Sequence, residues 1–243
     1  MKVIVCESYQ EMSRCAADLV AEVVKARPDC VLGLATGSTP VGMYQELIRR
    51  YQSGELDFSK ARSVNLDEYY PISPDNVQSY RYFMNTNLFD HINIDPAQTA
   101  VPDGSAADPE AECLAYEKKI EALGQVDIQV LGIGQNGHIG FNEPGEALYP
   151  NTHLTALTES TIKANARFFS ADEVIPTSAL TMGIGTILRA KKIIILANGE
   201  AKADAIATLL SGMLTTACPA SFLNLHADVV VICDHAAMSK VQA

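Results

Sequence analysis

The chain has 243 residues, about half of them hydrophobic, so it can bury a substantial core as one large domain without recourse to disorder. Its formal net charge of -11 excludes the basic surface that nucleic acid or an anionic membrane would demand, and leaves an anionic small molecule possible only where a few cations gather. The start MKVIVCES meets Glu7 before a signal-length apolar region develops, and no apolar run approaches a membrane span, so a cytoplasmic location is expected.

Along the chain, Val3 to Cys6 reads as a short strand, and Tyr9 to Arg27 carries Met12, Ala16, Leu19, Val20 and Val23 at helical spacing before Pro28 stops it. Val31 to Ala35 is the next strand. It breaks at Thr36-Gly37-Ser38-Thr39-Pro40 into a helix through Met43, Leu47 and Ile48, with Thr39 as the expected N-cap and Pro40 as the first helical residue. A strand-to-helix turn made of a glycine and hydroxyls can also cradle a phosphate, where free N–H groups and the helix dipole favour an anion; capping alone explains the same residues. Ser63 to Leu66 reads as a third strand that delivers Asp67-Glu68-Tyr69-Tyr70 at its end, followed by a loop held by Pro71 and Pro74. The two adjacent carboxylates are either a general base with a structural neighbour or a solvated turn.

Gln78 to Phe89 is expected to be helical, a short strand is placed near Thr99 to Val101, and Ala111 to Leu123 is a clear helix. Val126, Ile128, Val130 and Leu131 then form a buried strand that ends abruptly in glycines, one histidine and one glutamate, within VDIQVLGIGQNGHIGFNEPG. Gly132, Gly134 and Gly137 match the spacing of a dinucleotide fingerprint, but that fingerprint must open a helix, which Gly140, Pro144 and Gly145 oppose. His138 and Glu143 supply the parts for general acid/base catalysis, although a loop histidine can also be a purely structural hydrogen-bonding group.

Thr152 to Leu157 alternates like a strand, Glu159 to Arg167 reads as a helix, and Ser178 to Arg189 as a second helix. Ile193 to Ala197 is a strand that ends at Asn198-Gly199 and leads into a helix from Glu200 to Leu210. Lys202 sits in its first turn, where a cation opposes the dipole unless a bound anion compensates. Val229 to Cys233 is the last strand. The six cysteines, Cys6, Cys15, Cys30, Cys113, Cys218 and Cys233, include no C-x-x-C pair and no histidines at ligand spacing, so they read as free thiols and no metal site is expected.

Alternating strands and helices imply an α/β, Rossmann-like three-layer sandwich with a mostly parallel central sheet, in which ligands gather outside the carboxyl ends of the strands. The turns at Gly37-Ser38-Thr39, Asp67, Gly134 to Glu143 and Gly199 to Lys202 all follow strands, so they should share that edge. No repeat or linker divides the chain, which is expected to be one domain over residues 1–243.

Taken together, ATGSTP at 35–40, NLDEYY at 65–70, GIGQNGHIGFNEPG at 132–145, NARFF at 165–169 and the Gly199/Lys202 turn resemble the glucosamine-6-phosphate deaminase family, over nearly the whole chain. The resemblance implies conversion of glucosamine 6-phosphate to fructose 6-phosphate and ammonia, without cofactor, metal or nucleotide. It implies Asp67 as the base for enolisation, His138 as the ring-opening acid/base and Glu143 as its carboxylate partner. It also implies a phosphate grip made by Gly37, Ser38, Thr39, Arg167 and Lys202. Some members of the family have an acid at the position of Asn136; asparagine can orient the imidazole but cannot share its proton. Regulated hexameric members use an arginine and a lysine on the strand after the catalytic loop to bind N-acetylglucosamine 6-phosphate, and carry a longer C-terminal segment. The matching positions here are His153 and Thr155, so an unregulated monomer or small homo-oligomer is expected. The alternatives are a 6-phosphogluconolactonase-like esterase, which Asp67 and Glu143 disfavour, and a non-catalytic sugar-phosphate sensor, which would lack the acid/base residues.

Overall fold

The computed structural model describes residues 1–158, 162 and 175–241. Among them, seven strands form one sheet in the order β1 (Lys2–Cys6), β10 (Val229–Asp234), β9 (Ile193–Ala197), β6 (Ile128–Gly132), β2 (Val31–Leu34), β3 (Arg62–Asn65) and β5 (Thr99–Ala100). Every pairing in it is parallel. The inner strands β2, β9 and most of β6 are buried throughout, as expected where helices cover both faces of a parallel sheet. The helices are α1 (Tyr9–Ala26), α2 (Val41–Gln52), α3 (Tyr80–Asn87), α4 (Pro109–Leu123), α5 (Ile184–Leu188) and α6 (Ala203–Leu210). The α/β architecture with a parallel central sheet is therefore as the sequence implies.

Three local expectations are corrected. Asp67-Glu68-Tyr69-Tyr70 is not a turn but strand β4 (Asp67–Tyr70), in a separate antiparallel sheet of order β4, β8 (Ser178–Thr181) and β7 (His153–Ala156). Ser178 to Arg189 is accordingly not one helix: its first four residues are β8, and only Ile184–Leu188 is helical. Pairing to strands on both sides supplies β8 with partners that override a local helical pattern, and Gly183 passes so close to the backbone of Pro150 and Asn151 that a side chain there would collide. Thr39 does not cap α2, since Pro40 holds that position and makes no side-chain cap bond. The predicted helix 159–167, with Arg167, lies outside the described residues apart from Ile162.

Tyr116 of α4 fastens the sheet next to the strand that leads to Asp67. Its buried hydroxyl accepts the Asn65 N–H at 3.0 Å and donates towards Asn65 O at 2.8 Å and Ala100 O at 3.2 Å, bridging β3 and β5. Tyr116→Phe leaves a buried N–H without its acceptor, so it should lower unfolding free energy by about 1 to 3 kcal/mol, read as a lower midpoint in urea at unchanged slope.

Candidate active site

From β2 the sheet grows outward through β3 and β5, and from β6 it grows the other way through β9 and β10 to β1. The chain reverses direction between β2 and β6, and a crevice must open there beyond their carboxyl ends. A cleft of about 580 Å³ lies at that place, and the turns after β2, β3, β6 and β9 all reach it. A larger one, about 710 Å³, opens at the other end of the sheet, so size alone does not choose between them. Charge does. In the larger cleft Arg189 and Lys191 are already paired with Glu117 and Asp127. In the smaller one Lys202 has no carboxylate partner among the described residues, and burial alone pulls its ammonium pKa down.

The corner near Lys202 is built by backbone turns. Gly37 has φ +94, a left-handed value that favours glycine, and turns the chain out of β2. The Tyr9 hydroxyl of α1 then buckles the turn onto the helix start: it accepts the Gly42 N–H at 2.8 Å and lies 3.0 Å and 3.1 Å from the carbonyl oxygens of Ser38 and Thr39. On the facing side, Gly199 has φ +87 and donates its N–H to the Asp234 carboxylate, at 2.9 Å from Oδ2. Lys202 follows at the cap position of α6. A half-buried cation and a turn at a helix start thus share one corner, which suits an anion.

The loop after β6 folds back over itself. Gly134 packs under the His138 ring, where a Cβ would stand 2.5 Å from Nδ1, and the imidazole Nδ1 lies 3.2 Å from Glu143 Oε1. That contact is off hydrogen-bond alignment. Asn136 does not orient the ring directly, which corrects the expectation from sequence. Its Nδ2 donates to Glu143 Oε2 at 2.7 Å and its Oδ1 accepts the His138 backbone N–H at 3.2 Å, so it steadies the carboxylate and the loop.

Asp67 enters from β4, 7% exposed. Burial, then the neighbouring Glu68 charge, push its carboxyl up to about 8. Thr181 is its register partner on β8, and the Thr181 hydroxyl accepts the Phe141 N–H at 3.1 Å. Asn142 adds a second tie, donating from Nδ2 to Ile139 O at 2.9 Å and to Met182 O at 2.8 Å. Between them Gly140, at φ +57, lets the loop pass: a Cβ there would stand 2.8 Å from Thr181 Oγ1 and 3.4 Å from Asp67 Oδ2.

Residues 7–232 match the family model described as glucosamine-6-phosphate isomerases/6-phosphogluconolactonase. The chain belongs to the glucosamine-6-phosphate isomerase/6-phosphogluconolactonase family. Within it, a glucosamine-6-phosphate deaminase of Clostridium perfringens strain 13 is 58% identical over 234 residues, spanning 96% of this chain and 97% of its own. One of Clostridioides difficile strain 630 is 53% identical over 241 residues, spanning 99% and 97%. Among solved structures, a monomeric glucosamine-6-phosphate deaminase superposes with a TM-score of 0.95 at 49% identity, over 99% of this chain and 100% of that one. A 6-phosphogluconolactonase from Trypanosoma brucei, at 20% identity and a TM-score of 0.80 over 99% and 98% of the two chains, shares the fold.

In this member of the family, then, Gly37, Ser38, Thr39, Asp67, Asn136, His138 and Lys202 all border one cleft, with Glu143 joined to it through His138. Tyr9, Glu68, Tyr80, Asn142 and Thr181 shape the site and are missed by sequence reading; only the DEYY pair of carboxylates hinted at Glu68. Among the described residues no cluster of three His, Cys, Asp or Glu could hold a metal ion.

Gly140→Ala places a methyl between Thr181 and Asp67 and forces a side chain into a left-handed conformation. It should cost about 1 kcal/mol or more in stability and lower kcat more than it raises KM, since the group it displaces is Thr181, the register partner of Asp67, and not the corner at Lys202. Thermal melts and saturation kinetics read the two effects separately.

Proposed function

We propose that this chain converts glucosamine 6-phosphate and water to fructose 6-phosphate and ammonia. The observation that carries the reading is that two acid/base centres of different kind, Asp67 and the His138–Glu143 pair, border one cleft together with Lys202, which has no carboxylate partner among the described residues. The net reaction breaks a C–N bond, so the enzyme is a hydrolase as well as an isomerase.

The chemistry assigns the roles. Opening the sugar ring needs a proton taken from the C1 hydroxyl and one given to the ring oxygen, which an imidazole near neutrality can do in both directions. Glu143 beside Nδ1 stabilises the imidazolium in between, and Asn136 holds Glu143 at that distance. Asp67 removes the C2 proton of the open aldehyde, and a proton returns at C1. The ketimine so formed at C2 takes up water and releases ammonia. Gly37, Ser38, Thr39 and Lys202 hold the phosphate and fix the reacting carbons, which lowers the entropic part of the barrier. Arg167 is assigned to the phosphate by the resemblance alone.

A lactonase needs one base to activate water and donors to hold an oxyanion, whereas two separate acid/base centres on one cleft suit a reaction that moves protons at both the ring oxygen and carbon. A proton abstraction from carbon gains from a strong base. We further read the enzyme as cytoplasmic and unregulated. His153 is bonded to the Asn151 carbonyl oxygen at 2.9 Å and packed on Tyr149, and burial lowers its pKa, so at neutral pH it offers no charge to a second sugar phosphate. A single copy suffices for the site described.

A coupled assay for ammonia and fructose 6-phosphate tests the reading. Purified protein should release both from glucosamine 6-phosphate with hyperbolic saturation, unchanged by N-acetylglucosamine 6-phosphate. Asp67→Asn should lower kcat by roughly 10²- to 10⁴-fold, the usual worth of a positioned base. Hydrolysis of 6-phosphogluconolactone in place of that reaction would transfer the chain to the esterase reading.

A further inference from the structure

The most deeply buried carboxylate near the cleft does not line it. Glu68 follows Asp67 on β4, so the pleat turns the two side chains to opposite faces, and Glu68 is 1% exposed. Its Oε1 accepts the N–H groups of Tyr69 at 2.9 Å and Tyr80 at 2.8 Å, and its Oε2 accepts that of Arg81 at 2.9 Å. Tyr80 and Arg81 are the first two residues of α3, whose cap Ser79 is occupied with the Tyr82 N–H. Glu68 therefore takes two amides that the helix cannot satisfy, at the end where the dipole favours negative charge.

Three amide donors favour the charged form of a carboxyl, against the burial that lifts Glu68 to about 7. Asp67 is buried too, and has no donor bonded to its carboxyl among the described residues. The two groups titrate as a coupled pair in two steps, and Glu68 gives up its proton first. Among the described residues, the other charged or titratable groups near them are Tyr69 on β4, Tyr80 and Arg81 on α3, Tyr116 on α4, and His138 and Lys202 of the cleft lining. Burial keeps the tyrosines neutral through this range. The Arg81 guanidinium is committed to Thr99, donating to Oγ1 at 2.8 Å and to the carbonyl at 3.1 Å.

We propose that Glu68 is a positioning residue of the reaction: clamped by three backbone amides, it ties β4 to the start of α3 and sets a fixed buried charge beside Asp67 that strengthens Asp67 as a base. The same clamp places Tyr80, which walls the cleft and stacks on Phe141 with ring centroids 6.1 Å apart. The inference rests on Asp67 being the base of the proposed reaction, and the test separates the two claims.

The measurement is the pH dependence of kcat/KM on glucosamine 6-phosphate for wild type, Glu68→Gln, Glu68→Asp and Asp67→Asn, where ionisations of the substrate are common to all. Activity should rise with pH as Asp67 ionises. Removing the neighbouring charge in Glu68→Gln lowers the Asp67 pKa, so the rising limb should move to lower pH by about one unit and the plateau kcat should fall severalfold, up to about tenfold, as the base weakens. Glu68→Asp keeps the charge and should keep the wild-type midpoint. Identical midpoints for Glu68→Gln and wild type would overturn the proposal. An Asp67→Asn protein that keeps full turnover would remove the base assignment, and the proposal with it, while Glu68 stays intact. Should Glu68→Gln fail to fold, infrared titration of wild type and Asp67→Asn decides. The carboxyl band that survives in Asp67→Asn should ionise at lower pH than the band it lacks, and the opposite order would overturn the proposal.

Discussion

The site depends on one strand pairing, the antiparallel ladder between β4 and β8. The catalytic edge of a parallel sheet supplies only the turns that leave its strands, and β3 ends before Asp67. By leaving the main sheet and pairing with β8, the next four residues bring Asp67 opposite Thr181, whose hydroxyl holds the Phe141 N–H of the histidine loop. Asn142 bonds the neighbouring Met182 carbonyl from the same loop. Asp67 and the loop of His138 are thus fixed to a common strand, and Gly140 leaves the space through which they face one another.

Around that ladder the charges are kept apart by their hydrogen-bond partners. Glu68 is held by amides, Glu143 by Asn136, and Asp234 by the Gly199 N–H. Asp67 and Lys202, both in the cleft lining, are left without such partners among the described residues. Burial raises the first and lowers the second, so each is costly to keep charged until substrate arrives. A cleft lined this way offers one group that seeks an anion and one that seeks a proton, as the proposed reaction of a sugar phosphate requires.

The parallel core is legible in the sequence because β2 and β9 are short runs without a polar side chain, β6 departs from that only at Gln129, and glycine or polar turns follow each of them. Residues that carry chemistry stand out for the same reason, since Asp67, His138, Glu143 and Lys202 interrupt those patterns. The small antiparallel sheet is harder to read. Ser178 to Thr181 has too few residues to show an alternation, and Ile184, Ile187 and Leu188 just beyond it extend a helical spacing backwards over it. Its strand character comes from its partners β4 and β7, which are distant in sequence. Tyr9 and the amide clamp on Glu68 are invisible for a similar reason: one reaches across 33 positions to Gly42 and the other across 12 to Tyr80. Asn136 is legible as a departure from an acidic position, but which neighbour it holds is decided only by the fold of the loop.

The central claim is that Asp67 moves the C2 proton while His138 and Glu143 serve the ring oxygen. It is tested most directly by running the reaction in deuterium oxide with wild type and Asp67→Asn, and following hydrogen at C2 of the substrate and C1 of the product by NMR. The account predicts that wild type yields fructose 6-phosphate carrying solvent deuterium or transferred C2 hydrogen at C1, and that Asp67→Asn neither exchanges nor transfers the C2 hydrogen. Continued exchange at C2 in Asp67→Asn at the wild-type rate would place the base elsewhere and contradict the account.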